Sequence, residues 1–516
     1  MAINSFKPGS VSAQRSSSLF VNMRAELNTL MQQISTGKLS DTYGGLGFDR
    51  RTSLDFRAQL STIAGYKTSI QDGDLRLKLM NQSLERIAKI TREAKTDVPP
   101  GNFTPAPDGR TLGQKQAEER LREAIDLLNT GANGRYLFSG KAADVKPVES
   151  FDLMMNGDGA RAGLKALMDE RKRADRGALD GSGRYLGRLA LSRAGTTVNL
   201  GETVAGLPFG FKISGATSSN TTAMPVTGPG GSPTTVSFDV AAQPKDGDKV
   251  SVLLTLPDGT QETIELVARM TPNPSSTEKA FIIGATPADT ATNLEAALGS
   301  AVDQKARTAL AASSSIVASK NFFAGTLDNP PKRIAGAPES AVTTVPGTTA
   351  DTVVWYKGTS QPSGGGVDSL AARASSVLRI DSSQVAAIGA QANEDGIAHA
   401  LAHFAVLAAE TFPASETTAA ARYDAVAERI RTNLDYPGGT QRVEDIIVEL
   451  ANAGTAMKAA TERHKTTEGF LNSVVDGVEN ISQEQVAASI LALQTRLQAT
   501  YQTTAILSKL TLTNYL

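Results

Sequence analysis

Cysteine is absent from this chain of 516 residues, and that absence removes disulfides, thiolate metal sites and cysteine nucleophiles together. Histidine is nearly as scarce, with three in all, so hydrolytic catalysis has few places from which to draw its usual general base. Aromatic residues make up 5% with a single Trp, a composition that suits long helices with small-residue seams better than thick aromatic cores. Neither sign of charge dominates: 52 Lys and Arg stand against 53 Asp and Glu, and no long basic run occurs. Nucleic acid and anionic membrane are therefore poor partners. No apolar run reaches the roughly eighteen residues that span a bilayer, and residues 1–20 lack the positively flanked apolar core of a secretory signal. A route out of the cell, if used, is expected to need no cleavable signal peptide.

What the chain does have is a matching apolar stripe at each end. Phe20, Met23, Leu27, Leu30 and Ile34 recur at alternating steps of three and four, and Val486, Ile490, Leu493 and Leu497 do the same. Each segment is short for an isolated helix and must bury its stripe against something else. The spacing is read as an intersubunit seam, so function is expected to be assembly before chemistry. A longer register runs through Ile63, Tyr66, Ile70, Gly73, Leu77, Met80, Leu84, Ile87, Thr91 and Ala94. Of these, Ile63, Ile70, Leu77, Met80, Leu84 and Ile87 are assigned to helical core within the subunit.

Proline and glycine punctuate the rest. The Pro-rich segment from Val98 to Pro107 ends the long register, and a further helix carries Ala117, Leu121, Ala124 and Leu128 on one face. From about Gly140 to Gly366 the pattern changes to Gly, Ser, Thr and Pro-rich stretches between strands. Val236, Phe238 and Val240 alternate with polar residues, as do Val250, Val252, Leu254 and Leu256. Pro257, Asp258, Gly259 and Thr260 then supply turn chemistry before Ile264, Leu266 and Ala268, which predicts a hairpin. Thr286, Pro287 and Asp289 read as an N-cap, a first-turn proline and a first-turn acid, opening a helix through Leu294, Leu298 and Val302. Helix returns after Asp381, with an Ala-rich helix over Val385 to Phe412, a second over Ser415 to Leu434, and a third from Val443 toward Ile481. Ser482 with Gln485 forms a capping box for the terminal stripe.

The expected fold is mainly α with an inserted α+β region. A long antiparallel helical bundle or coiled coil is formed by the N- and C-terminal segments, and a β-rich middle module projects from it. Residues 1–40 with 482–516 form the terminal part, 45–140 with 381–481 a helical bundle, and 141–380 the insert, including a hairpin-helix unit at 234–312.

Motifs of chemistry each have a plainer reading. His399 and His403 have helical metal-ligand spacing, but Ala-Leu-Ala lies between them and no glutamate stands beside the first, so they read as a partly buried helix face. Gly44, Gly45 and Gly47 lack the lysine and Ser/Thr of a phosphate loop, and Asn156, Gly157 and Asp158 lack the acids of a calcium loop. Arg171, Lys172, Arg173 and Arg176, interleaved with Asp169, Glu170 and Asp175, read as a solvated helix face. No catalytic, cofactor-binding or metal residue is assigned, and no cofactor is expected.

Several segments resemble a known family. Gln32-Gln33-Ile34-Ser35-Thr36-Gly37 is similar to the end of the N-terminal helix of the bacterial flagellin superfamily of axial flagellar proteins. Leu491 to Gln502, running on to Leu510, Asn514, Tyr515 and Leu516, resembles its C-terminal helix. Arg135-Tyr136-Leu137-Phe138-Ser139-Gly140 resembles a strand start of the hook-filament junction branch, known as hook-associated protein 3. Trp355-Tyr356-Lys357-Gly358 and Gln391-Ala392-Asn393-Glu394 resemble its alphaproteobacterial form. Ser40-Asp41-Thr42-Tyr43-Gly44-Gly45 departs from filament flagellins at that position, while the long middle departs from junction proteins.

The resemblance implies a non-enzymatic structural protein of the extracellular bacterial flagellum, exported unfolded through the flagellar type III apparatus. Its implied partners are copies of itself in a ring or helical tube, axial proteins on the hook side and the filament side, and an export chaperone, without nucleic acid or membrane. The terminal segments would be disordered in the monomer and order on packing. A filament subunit is the alternative, a secreted protein with activity in the 141–380 insert the second, and a coiled-coil fibre sharing only the end stripes the third.

Overall fold

The computed structural model describes residues 8–271, 279–359, 369–413 and 415–513. Asn514, Tyr515 and Leu516 of the terminal resemblance, and residues 1–7 of the terminal segment, lie outside the described residues. Helix α1 (Pro8–Thr36) is followed by a short 3-10 segment (Tyr43–Asp49), then α2 (Arg50–Asp97) and α3 (Leu112–Leu128). The hairpin of β1 (Gly131–Ala132) and β2 (Arg135–Tyr136) precedes α4 (Phe151–Asn156) and α5 (Leu164–Arg176). A strand-rich stretch comprises β3 (Leu189–Ala194), β4 (Thr197–Glu202), β5 (Lys212–Ser218), β6 (Val226–Gly230), β7 (Thr235–Asp239), β8 (Lys249–Thr255), β9 (Gln261–Arg269) and β10 (Ala280–Ile282). Next come α6 (Pro287–Lys305), α7 (Ala311–Ala324), β11 (Arg333–Ile334), β12 (Thr344–Val345), α8 (Ser369–Arg373), β13 (Val377–Arg379) and β14 (Val385–Ala387). The chain closes with α9 (Asp395–Ala409), α10 (Ala419–Asn433), α11 (Val443–Glu479) and α12 (Gln483–Thr513). The protein is mainly α with a β-rich middle region and no closed barrel.

Two compact units are present. The first comprises residues 1–72, 379–385 and 455–516, the second residues 73–378 and 386–454. In the first unit α1 packs on α12 and the amino-terminal part of α2 faces α11. Ile63 and Ile70 of α2 are buried there. The ring of Tyr66 stacks on His464 at 5.5 Å, and the His464 Nε2 lies 2.7 Å from the Ile380 carbonyl, which ties the 379–385 excursion to α11.

In the second unit Leu77, Met80, Leu84 and Ile87 of α2 are buried, and α2 stops where Pro99 and Pro100 follow Val98. Helix α3 opens on a complete capping box, with Thr111 accepting from Gln114 N while the Gln114 side chain accepts from Thr111 N. Its buried face packs on α9, which also meets α7, and α7 meets α5. Parts of the 141–380 insert thus share their packing with α3 and α9.

Two four-stranded sheets, β3-β4-β7-β6 and β10-β9-β8-β5, are antiparallel throughout except where β10 joins β9. Val198, Leu200, Val236 and Phe238 of one sheet, Val250, Val252, Leu254, Ile264 and Leu266 of the other, and Leu294, Leu298 and Val302 of α6 share one core. The cap of α6 is the one written at Thr286, Pro287 and Asp289, closed as a reciprocal capping box.

The Ala-rich stretch from Val385 departs from expectation. Residues 385–387 form β14, Ser139 pairs with Gln391 across a β-bridge, and helix begins only at Asp395. Backbone partners supplied by residues 138–140 outweigh the helix preference of alanine.

Candidate functional site

The expected seam residues lie on α1 and α12, which run antiparallel within one chain. Phe20 stacks on Tyr501 at 4.9 Å near one end of the pair, and Lys38 bridges to Asn480 at the other. Met23, Val486 and Leu493 are buried, while Phe20, Leu27, Leu30, Ile34, Ile490 and Leu497 are half-buried. The two stripes therefore bury part of their area on each other before any second copy is considered. Other apolar residues of the same helices stay out in solvent: Leu19, Val21 and Met31 on α1, and Leu491, Tyr501 and Ile506 on α12. Leu491 is 67% exposed and Ile506 58%, and both lie more than about 100° round α12 from its seam.

The breaks beyond the two stripes meet. Gly37, with a φ of 69°, ends α1, and its carbonyl accepts from Ile481 N at 3.1 Å, while Leu39 N donates to the Glu479 carbonyl at 2.7 Å. The Glu479 carboxylate accepts from Ser53 Oγ at 2.5 Å and from Arg57 Nε at 2.7 Å. The Arg57 hydrogen bonds hold the Glu479 carboxyl down at about 2, and the same contact raises the guanidinium. Ser482 caps α12 by accepting from Gln485 N at 3.4 Å, and its hydroxyl turns to Glu484.

A second feature lies in the second unit, where three segments quoted for the family resemblance converge. Ala392 N donates to the Phe138 carbonyl at 2.9 Å, Gly140 N to the Ala390 carbonyl at 3.3 Å, and Thr359 N to the Ser139 carbonyl at 3.0 Å. Val148 bridges to Tyr356. Gly358 is required here, since a Cβ would stand 2.3 Å from the Tyr356 hydroxyl. Glu394, fully buried, pairs with Arg373 and accepts from Gln391 N at 3.0 Å. Burial pushes its carboxyl up against the pull of Arg373. Asn133-Gly134, with φ of 53° and 74°, turns the β1–β2 hairpin that enters this node, and that dipeptide was the available sequence signal for it.

The other candidates resolve into local structure. His399 Nε2 lies 2.8 Å from the Asn433 carbonyl and His403 Nδ1 2.6 Å from the His399 carbonyl, so each ring is anchored to backbone. Burial holds both below the usual histidine range, His403 well below. Among the described residues no group of three or more His, Asp or Glu side chains could hold a metal ion. Gly44, Gly45 and Gly47 lie in the 3-10 segment, and Asp158 closes a turn onto Arg161 at 2.8 Å. The basic run is a solvated face only in part: Arg173 is exposed, while Arg171, Lys172 and Arg176 are half-buried. Arg171 pairs with Asp175 at 2.7 Å, Lys172 with buried Glu410 at 3.1 Å and Arg173 with Glu339 at 2.6 Å, while Arg176 covers the Tyr185 ring. The α5 helix packs against α7, while the carboxylates that take its cations lie on α5 itself (Asp175), just past α9 (Glu410) and between β11 and β12 (Glu339).

No protein-family model matches the chain, and no curated protein matches it.

Proposed function

We propose that the chain is a structural, non-enzymatic axial subunit of the bacterial flagellum, of the flagellin superfamily, joining hook to filament through its terminal helices. The observation that carries this reading is the apolar exposure left on α1 and α12 after they have paired, with Val21, Met31, Leu491 and Ile506 in solvent. A helix that is apolar on more than one side is one that is covered on more than one side. The cover proposed is the α1–α12 pair of neighbouring copies, stacked as a coiled-coil tube, with axial proteins of the hook and filament at its ends. The segment similarities at Gln32 to Gly37 and Leu491 to Gln502 support the family. Export proceeds unfolded, with a chaperone in transit, and the product is extracellular.

The test is the double variant Leu491→Ser, Ile506→Ser. It should leave the monomer's melting unchanged and raise the concentration needed for self-association at least severalfold. Unchanged association would sink the reading. Amide exchange adds a second check, since α1 and α12 should exchange fast in the monomer and slowly in the polymer.

A filament subunit is the second reading, favoured by the size of the strand-rich stretch between Leu189 and Ile282. Deleting the gene separates the two: loss of a junction protein leaves bare hooks and spills filament subunits into the medium, whereas loss of the filament subunit leaves nothing to spill.

A further inference from the structure

We infer that the second unit binds one ordered water where α2 ends, α3 begins and α9 passes, and that this water donates a hydrogen bond to His403 Nε2. His403 is fully buried, and its Nδ1 lies 2.6 Å from the His399 carbonyl, which can only accept. The ring proton therefore sits on Nδ1. Burial holds the imidazole well below the usual histidine range, so at pH 7 it is neutral and Nε2 is a bare lone pair. That nitrogen has no hydrogen-bond partner among the described residues. A buried acceptor without a donor is costly, and in folded proteins such atoms are met by protein groups or by ordered water.

His403 lines a cavity of about 10 Å³, the scale of one water and too small for a larger ligand. Val98, Ala117 and Leu407 stand among its apolar walls, and Asp97 and Arg120 bring polar groups to it. Arg120 does not serve the ring itself: its Nη1 donates to the Ile90 carbonyl at 3.1 Å and its Nη2 to Asp97, so both nitrogens are committed to α2. Asp97 is the last residue of α2, and Gly113, also in the wall, stands in the first turn of α3. The cavity therefore adjoins backbone C=O and N–H groups that have no partner within their own helix. Gly113 lets the two helix ends close together, since a Cβ there would stand 3.1 Å from the Asp97 carbonyl. A water in this place has the several polar neighbours that hold one, and it ties α9 to the α2–α3 corner.

The experiment uses the full chain with isotope-labelled histidine at pH 7, and reads ring nitrogen shifts and water-to-protein cross-relaxation by NMR. His403 Nε2 should resonate upfield of an unbonded imidazole nitrogen, and the ring protons beside it, Hδ2 and Hε1, should show a cross-peak to a water held far longer than surface water. Ala117→Val adds bulk to the cavity wall and should expel that water. The cross-peak is then lost, and Nε2 moves downfield to the unbonded position. The variant should melt no higher than the parent, because the packing gained is offset by the lone pair laid bare, whereas filling a dry cavity raises the melting temperature. If Ala117→Val does not fold, the parent spectra decide alone. An unbonded Nε2 in the parent overturns the inference. So does an upfield Nε2 without a water cross-peak, which would mean a protein donor, or a variant that melts above the parent.

Discussion

Arg57 and Glu479 are 422 positions apart in sequence, yet the Arg57 Nε sits 2.7 Å from the Glu479 carboxylate in a two-pronged contact shared with Ser53. A carboxyl held at about 2 in the fold and near 4.5 when released binds fewer protons folded than unfolded. Its stabilisation is therefore complete above about pH 4.5 and lost as pH falls toward 2. With the guanidinium half-exposed, the contribution is roughly 1–2 kcal/mol. Glu479→Gln should cost about that much at pH 7 and flatten the acid dependence between pH 4.5 and 2.5, read by amide exchange in residues 53–60.

His399, half-buried, and His403, fully buried, act in a different window. Both are held below 6.5 by burial, so the unfolded state takes up protons first as pH falls. Stability of the second unit should decline from about pH 6.5 downward, and His403→Gln should remove part of that slope. Denaturant midpoints at pH 7 and pH 5.5 measure it, and a variant with the parent's slope would contradict the assignment.

Leu493→Asp with Leu497→Asp places two carboxylates against α1, at the buried and half-buried positions of the seam. The expected result is loss of polymer, and with it of the slow exchange of α1 and α12 that polymer brings, with the second unit still melting as in the parent. Retained polymer would exclude the seam.

Glu394→Ala leaves buried Arg373 with Glu449, 3.2 Å away and half-buried, as its remaining carboxylate, and should cost about 3 kcal/mol. Replacing both partners with Arg373→Met, Glu394→Leu should recover most of that loss, as measured by denaturant unfolding. A single variant as stable as the parent would show that the pair is not fully desolvated.

The sequence was most readable where period and punctuation agreed. Val250 to Leu256 and Ile264 to Ala268, with a Pro-Asp-Gly turn between them, form β8 and β9, and Thr286 caps α6. It was least readable where partners far away decide. The β5 strand has one fully buried apolar residue, Ile213, a bulge at Gly215 and a Ser/Thr outer face, so nothing local marks it as a strand. Residues 388–392 have the alanines of a helix and are held extended by Phe138 and Gly140. The cations of α5 were misread in part, and for a similar reason, since Glu410 and Glu339, far along the chain, receive two of them. Glu479 offered no signal of its importance, because a lone glutamate before a break looks like any other.

The crossing of Gly37 and Leu39 with Glu479 and Ile481 has a mechanical meaning. A single linker would swivel under load; here the two chain segments cross side by side and are laced together, so a pull or twist on α1 and α12 is borne by both strands at the same level. Ser53 and Arg57 tie α2 to Glu479 at that same level, so α2 is laced to both strands there.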